Sequence, residues 1–88
     1  MKGRIVTADD ARNKIKSYRD VKRVIDNYGR NSLEYINDMT LVLKYADVSI
    51  LSDIQKSINH HKFDYLKLYK KSFIVNSIRE RKGKDKTD

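Results

Sequence analysis

Basic side chains are densest in a thirteen-residue stretch near the amino terminus, ARNKIKSYRDVKR (11–23), which contains six of them. At about 100° per residue, four of these cations would share a helical strip about 60° wide and about 16 Å long: Arg12, Lys16, Arg19 and Arg23. If these bases served only to stabilise the helix through salt bridges, acidic residues would be expected four positions before them. Because guanidinium groups bind phosphate through paired hydrogen bonds, we expect this strip to contact a polyanion. The alternative is a solvated surface whose charges happen to segregate.

A second basic segment, HHKFDYLKLYKK, alternates lysines with aromatic residues. Proteins that hold single-stranded nucleic acid stack bases on rings and bind phosphates with cations. The candidate residues are Lys62, Lys67, Lys70, Lys71, Tyr65 and Tyr69. Phe63 and the two tyrosines could instead belong to the core or to a subunit interface. Near the carboxyl terminus, the candidates for additional phosphate contacts are Arg79, Arg81 and Lys82, which could equally be only solvated.

Residues suited to catalysis or metal binding are few. The two histidines, His60 and His61, are adjacent, and the chain has no Cys. Neighbouring positions on a helix point about 100° apart and cannot chelate one ion together. Asp64 could add one ligand, but no third ligand follows at a known spacing. There is also no phosphate-binding glycine loop or nucleophile elbow, so we predict a non-enzymatic protein without metal or cofactor.

The elements that must position these residues are predicted to be helices, since the chain has no Pro and only three Gly to interrupt them. The expected helices are 8–28, 33–46, 49–59 and 62–80. The second competes with a strand, because MTLVLKY is rich in β-branched and aromatic residues. Thr7 with Asp10 resembles a capping box, and Gly29 is expected to end the first helix in a left-handed conformation. The candidate caps of the next two helices are Asn31 or Ser32 and Asp47 or Ser49.

These helices predict an all-α fold, a small bundle of three to four helices forming one domain over residues 1–78, with a flexible basic tail over 79–88. The core stripe of the first helix is expected to be Ala11, Ile15, Tyr18, Val21, Ile25 and Tyr28. With 88 residues, one chain is near the lower limit for a self-sufficient core, so we expect a homodimer. Charged residues precede any apolar run long enough for a signal peptide or membrane span, which favours a cytoplasmic protein.

The net charge of +8 favours polyanionic partners. Residues 1–30 and 61–88 each carry nine Lys or Arg against four acids, whereas residues 31–60 carry two against four. The leading hypothesis is a regulatory protein that binds nucleic acid, with RNA favoured over DNA. The alternative is an inhibitor that docks on an acidic or RNA-bound protein, with aromatic anchors from among Tyr28, Tyr35 and Tyr45. Membrane adsorption is disfavoured, because the apolar side of the first helix lacks Trp, Phe and Leu.

A resemblance strengthens the inhibitor alternative. The chain is short, free of proline and rich in Lys, Asn and Ile, and TADDARNKIKSYRD opens its first capped helix. In these respects it resembles the small early proteins that AT-rich phages make against host defences, which include basic inhibitors of ribonuclease toxins. The resemblance implies a protein acting in the host cytoplasm, with a toxin of this kind as partner, and assigns a role to no individual residue.

Overall fold

The computed structural model describes residues 4–86, which form five α-helices and, within that range, no strand. The helices are α1 (Ala8–Lys14), α2 (Tyr18–Arg30), α3 (Ser32–Tyr45), α4 (Val48–Asn59) and α5 (Leu68–Lys86). The all-α prediction is confirmed, and the MTLVLKY stretch is helical within α3. There are five helices rather than three to four, because the first predicted helix is divided in two.

The division of the predicted helix 8–28 has a local cause. The backbone is extended at Ile15 (φ −99°, ψ 91°) and at Ser17 (φ −146°, ψ 166°). The Asp20 carboxylate accepts hydrogen bonds from the backbone N–H groups of Lys16 and Ser17, both at 3.0 Å. Asp20 therefore caps a new helix. The single-helix prediction was wrong because it overlooked this second capping signal, which repeats the one before α1.

The predicted start of α1 is confirmed. The Thr7 hydroxyl accepts a hydrogen bond from the Asp10 backbone N–H at 3.2 Å, and the Asp10 carboxylate accepts one from the Thr7 N–H at 3.1 Å. The Asp47 cap of α4 is also confirmed, since its carboxylate accepts from the Ser49 N–H at 2.9 Å. Asn31 precedes α3, but its side chain makes no capping hydrogen bond.

Gly29 does not end a helix in a left-handed conformation, as the sequence suggested. It lies inside α2, and the N–H of the C-cap residue Asn31 donates to the Asn27 carbonyl at 2.8 Å. Gly29 is required for packing: a Cβ atom there would lie 2.7 Å from Cε2 of Tyr65 and 2.8 Å from Cδ2 of Leu66. The prediction that Gly29 is a left-handed C-cap was therefore wrong.

The last predicted helix, 62–80, is displaced toward the carboxyl terminus. After α4 the chain turns through His61, whose φ is 61°, and Phe63 then enters the core at 1% exposure. Helix α5 begins only at Leu68 and continues to Lys86. The flexible basic tail is thus not confirmed over residues 79–86, which are helical, while residues 87–88 lie outside the described part of the chain.

One hydrophobic core joins all five helices. Each contributes at least one buried residue, among them Ala11, Val21, Met39, Leu51 and Ile74. Helices α3 and α5 run side by side in the same direction, because the start of α5 contacts the end of α2 through Lys70 and its later part contacts the end of α3 through Arg81. Within residues 4–86, no helix combines the length and apolar character needed to cross a bilayer.

The extended segment before α1 is attached to α3 by Asp38, a carboxylate exposed by only 1%. It accepts hydrogen bonds from Nε and Nη2 of Arg4 at 2.8 and 2.9 Å, and from the Ile5 N–H at 2.9 Å. Burial would raise the pKa of Asp38, but the Arg4 and Ile5 hydrogen bonds outweigh burial and hold it below its usual value. Asp38 therefore remains ionised and fixes the amino-terminal segment.

Candidate nucleic-acid interface

Helix α2 has one buried and one exposed face. Val21, Val24, Ile25 and Tyr28 are buried. On the opposite side, five charged residues share an arc of about 100°: Arg19, Lys22, Arg23, Asp26 and Arg30. The four cations are exposed, and Asp26 is partly buried between them. We call this arc the outer face of α2. It therefore carries four exposed cations against one partly buried carboxylate.

A depression of about 280 Å³ adjoins the amino-terminal end of this face. Its lining consists of Ile5, Lys14, Ile15, Arg19, Asp20 and Arg23. The one carboxylate there is already hydrogen-bonded to backbone N–H groups, which lower its pKa, with the Lys16 N–H contributing most. Three cations thus converge on a concave site, an arrangement suited to a phosphate group.

Lys14 was missed as a candidate site residue. On one continuous helix it would point about 140° away from Arg19. The break at residues 15–17 reorients α1 relative to α2 and brings Lys14 to the same depression as Arg19 and Arg23. Its Nζ also lies 3.4 Å from the Arg4 carbonyl oxygen, at the attached amino-terminal segment, and 3.6 Å from Asp10 Oδ1 on the preceding turn of α1. The second capping signal in the sequence could have revealed the break, but not how α1 and α2 are oriented.

The predicted straight strip of four cations does not exist. Arg19 and Arg23 lie together on α2, but Arg12 is on α1, where its Nη1 is 2.8 Å from Asp9 Oδ1 and its guanidinium carbon is 5.0 Å from the Tyr45 ring centroid. Lys16 is exposed in the break between the helices. The cause is the interrupted helix, which removes the common axis on which the strip depended.

The structure does bring Tyr65, a candidate residue of the second basic segment, to the outer face of α2. The Tyr65 hydroxyl donates a hydrogen bond to Asp26, and the Arg30 guanidinium carbon lies 5.6 Å from the Tyr65 ring centroid. Partial burial, together with the hydrogen bond to Asp26, raises the pKa of Tyr65 above its usual value, so the hydroxyl remains protonated at neutral pH. Tyr65 therefore borders the outer face at its carboxyl-terminal end.

Lys70 was predicted to contact nucleic acid, but it is buried, with 3% exposure. Its Nζ donates hydrogen bonds to the carbonyls of Gly29 at 2.6 Å and Tyr28 at 3.3 Å, near the end of α2. A cation there satisfies carbonyls that lack helical partners. Lys70 is thus a structural residue, and its prediction as a binding residue is corrected by its burial.

The other residues of that segment are dispersed. Phe63 belongs to the core, as its alternative interpretation held. Tyr69 is exposed, and its ring lies 5.9 Å from the Nζ of Lys70, the residue bound to the carbonyls near the end of α2. Lys62 and Lys67 are exposed on the turn before α5, whereas Lys71 is partly buried at its start.

The three predicted carboxyl-terminal contacts lie on α5. Arg79 is exposed. Arg81 donates hydrogen bonds to the carbonyls of Ala46 and Leu43 at the end of α3, and Lys82 Nζ lies 3.4 Å from Gln55 Oε1. Arg81 and Lys82 therefore join helices within the protein. In the part of the chain that the structure describes, no three His, Asp or Glu side chains are grouped as metal ligands would be.

Comparisons with protein-family models, with curated proteins and with solved structures found no match to this chain. The role of the outer face is therefore inferred from its own residues.

Proposed function

We propose that the protein is a non-enzymatic nucleic-acid-binding protein, with RNA favoured over DNA, and that the outer face of α2 is its binding surface. The observation that carries this proposal is the convergence of Lys14, Arg19 and Arg23 on one depression. From there the cations continue along α2 to Arg30, beside Tyr65. The groove between α3 and α5 is also lined by three cations, Lys44, Arg81 and Lys84. There, however, Arg81 donates hydrogen bonds to the carbonyls at the end of α3, and within residues 4–86 no further row of exposed cations leads away from the groove as one does along α2.

The dimensions of the surface fit a nucleic-acid backbone. Helix α2 has 13 residues and is thus about 20 Å long at about 1.5 Å per residue. Phosphates of one strand are about 3.4 Å apart along a duplex axis, so several lie within that length. Arginines dominate the face, and their planar guanidinium groups suit phosphate oxygens.

The inhibitor alternative is less favoured, because two of its three predicted anchors are buried. Tyr28 and Tyr35 belong to the core, and Tyr45 is partly buried with Arg12 over its ring. An anchor must be able to enter a pocket on the partner. The homodimer, the cytoplasmic location and the relation to phage proteins stay predictions.

The proposal is tested by removing charge from the outer face. The double variant Arg19→Gln/Arg23→Gln should bind a single-stranded RNA more weakly than the unaltered protein. If both side chains contact phosphates, the slope of log affinity against log salt concentration should fall by about 1.4, because each contact on a single strand contributes about 0.7. Fluorescence anisotropy at four or five salt concentrations measures both quantities.

The matched control is Lys44→Gln/Lys84→Gln, which removes the same charge from a groove formed by α3 and α5. It should leave most of the affinity and the salt slope unchanged. Equal losses in the two double variants, or an affinity of the unaltered protein that does not depend on salt, would contradict a binding site on α2.

A further inference from the structure

We infer that Tyr65 and Arg30 form a clamp for one unpaired nucleobase, so that the outer face selects single-stranded over double-stranded nucleic acid. This inference rests on the proposed function and adds the class of nucleic acid. It concerns a ring and a guanidinium group that come from different elements, the turn before α5 and the last residue of α2.

The Tyr65 ring is fixed although it is 41% exposed. Its hydroxyl is hydrogen-bonded to Asp26. The ring makes a T-shaped contact with Phe63, with the ring centroids 5.9 Å apart. The ring also lies against α2 where Gly29 has no side chain, since a Cβ atom there would be 2.7 Å from Tyr65 Cε2. A ring held in this way loses little conformational freedom when a base stacks on it.

Arg30 is placed to cover such a base from the other side. Its guanidinium carbon is 5.6 Å from the Tyr65 centroid, and the side chain is exposed. A base stacked at about 3.5 Å from each group needs a gap of about 7 Å, which an outward movement of Arg30 by about 1.5 Å would open. Both aromatic rings and guanidinium planes are common stacking partners of unpaired bases.

The clamp and the cationic depression are separated by a distance that one strand can span. From Arg23 to Arg30 is about 10 Å along α2 at about 1.5 Å per residue, which is about three nucleotides at a stacked spacing of about 3.4 Å. A strand with a phosphate in the depression can therefore present a base to Tyr65. In a duplex, bases are paired within the stack and cannot enter between Tyr65 and Arg30 without being flipped out.

The experiment measures binding of three labelled probes of equal length: a uridine single strand, the same strand with abasic positions, and an RNA duplex. The unaltered protein should bind the uridine strand about tenfold more tightly than the abasic strand, the effect typical of one stacked base. Tyr65→Leu should lose this preference, while Tyr65→Phe, which keeps the ring, should retain most of it. Tyr69→Leu, which removes an exposed tyrosine elsewhere, should bind like the unaltered protein.

Arg30→Lys provides a second variant at an exposed position, should Tyr65→Leu fail to fold by circular dichroism. Lysine keeps the positive charge but has no planar guanidinium group. Affinity for the abasic strand should therefore remain, while the preference for the uridine strand over the abasic strand should fall. The clamp is wrong if Tyr65→Leu and Arg30→Lys both keep the preference, or if the unaltered protein binds all three probes equally. Either of these results would still be compatible with phosphate binding on the outer face of α2. Absence of binding to every probe would overturn the proposed function as well.

Discussion

At the scale of single residues, Gly29 shows how packing can require a glycine without requiring an unusual backbone conformation. Its position near the end of α2 suggested a left-handed C-cap, but it lies within the helix. The atoms that exclude a side chain belong to Tyr65 and Leu66, distant in sequence. Gly29 thus determines how closely the turn before α5 approaches α2, and with it the position of the Tyr65 ring.

Gly29→Ala should therefore destabilise the fold. Alanine improves helix propensity by up to about 1 kcal/mol, but overpacking against the buried Leu66 should cost about 1–3 kcal/mol. The expected net result is a free energy of unfolding lower by about 1 kcal/mol, measured by urea denaturation. Gly83→Ala is the control, since nothing lies within 4 Å of a Cβ atom there. A stability gain of similar size in both variants would show that Tyr65 and Leu66 adjust freely.

At the scale of elements, two basic residues predicted to bind a partner instead complete helix ends. Lys70 hydrogen-bonds the last carbonyls of α2, and Arg81 those of α3. The final carbonyls of a helix lack intrahelical partners and carry partial negative charge, so cations are favourable there. A count of positive charge therefore overstates the basic surface that remains for a partner.

Arg81→Gln should lower the free energy of unfolding by about 1–2 kcal/mol, because the carbonyls at the end of α3 lose a charged donor. Arg79→Gln, an exposed change on the same helix, should alter it by less than about 0.5 kcal/mol. Thermal and urea denaturation of the pair separate the two effects. If Arg81→Gln and Arg79→Gln have the same free energy of unfolding, the contact of Arg81 with α3 contributes nothing to stability.

At the scale of the whole molecule, the amino-terminal segment belongs to the proposed binding surface. Asp38 on α3 holds Arg4 and Ile5, and Ile5 lines the depression with Lys14 and Arg23. The site is thus assembled from the amino-terminal segment, α1 and α2, with α3 as their support. Acid conditions should weaken this arrangement through Asp38.

The pKa of Asp38 lies below its usual value in the folded protein, so ionised Asp38 favours the folded state. Its contribution should be present above the unfolded-state pKa of about 3.9 and lost as the pH falls through the lower folded-state pKa. Asp38→Asn should cost about 3 kcal/mol at neutral pH. The difference in unfolding free energy between the unaltered protein and Asp38→Asn should then become smaller below about pH 4.

Urea denaturation at several pH values measures this difference. Asp53→Asn, which changes an exposed carboxylate on α4, should stay within about 0.5 kcal/mol of the unaltered protein at neutral pH. A difference between the unaltered protein and Asp38→Asn that is independent of pH would show that Asp38 acts through its shape and not its charge.

Local sequence patterns determined much of the secondary structure. Helical periodicity and few helix breakers predicted an all-α chain, and short-range capping signals located the starts of α1 and α4. Such interactions involve residues a few positions apart, so they can be read without the fold. The same patterns contained the capping signal at Ser17 and Asp20, which breaks the first predicted helix and was overlooked.

Only the tertiary structure decided which basic residues share a surface. Tyr65 meets Asp26 across 39 positions of sequence, and Lys70 meets Gly29 across 41. No periodicity links residues so far apart, because their contact depends on how the helices pack around one core. The break after α1 brought Lys14 beside Arg19, and burial removed Lys70 from the surface. The sequence determined that the protein is basic and helical, whereas packing determined where its charge is available.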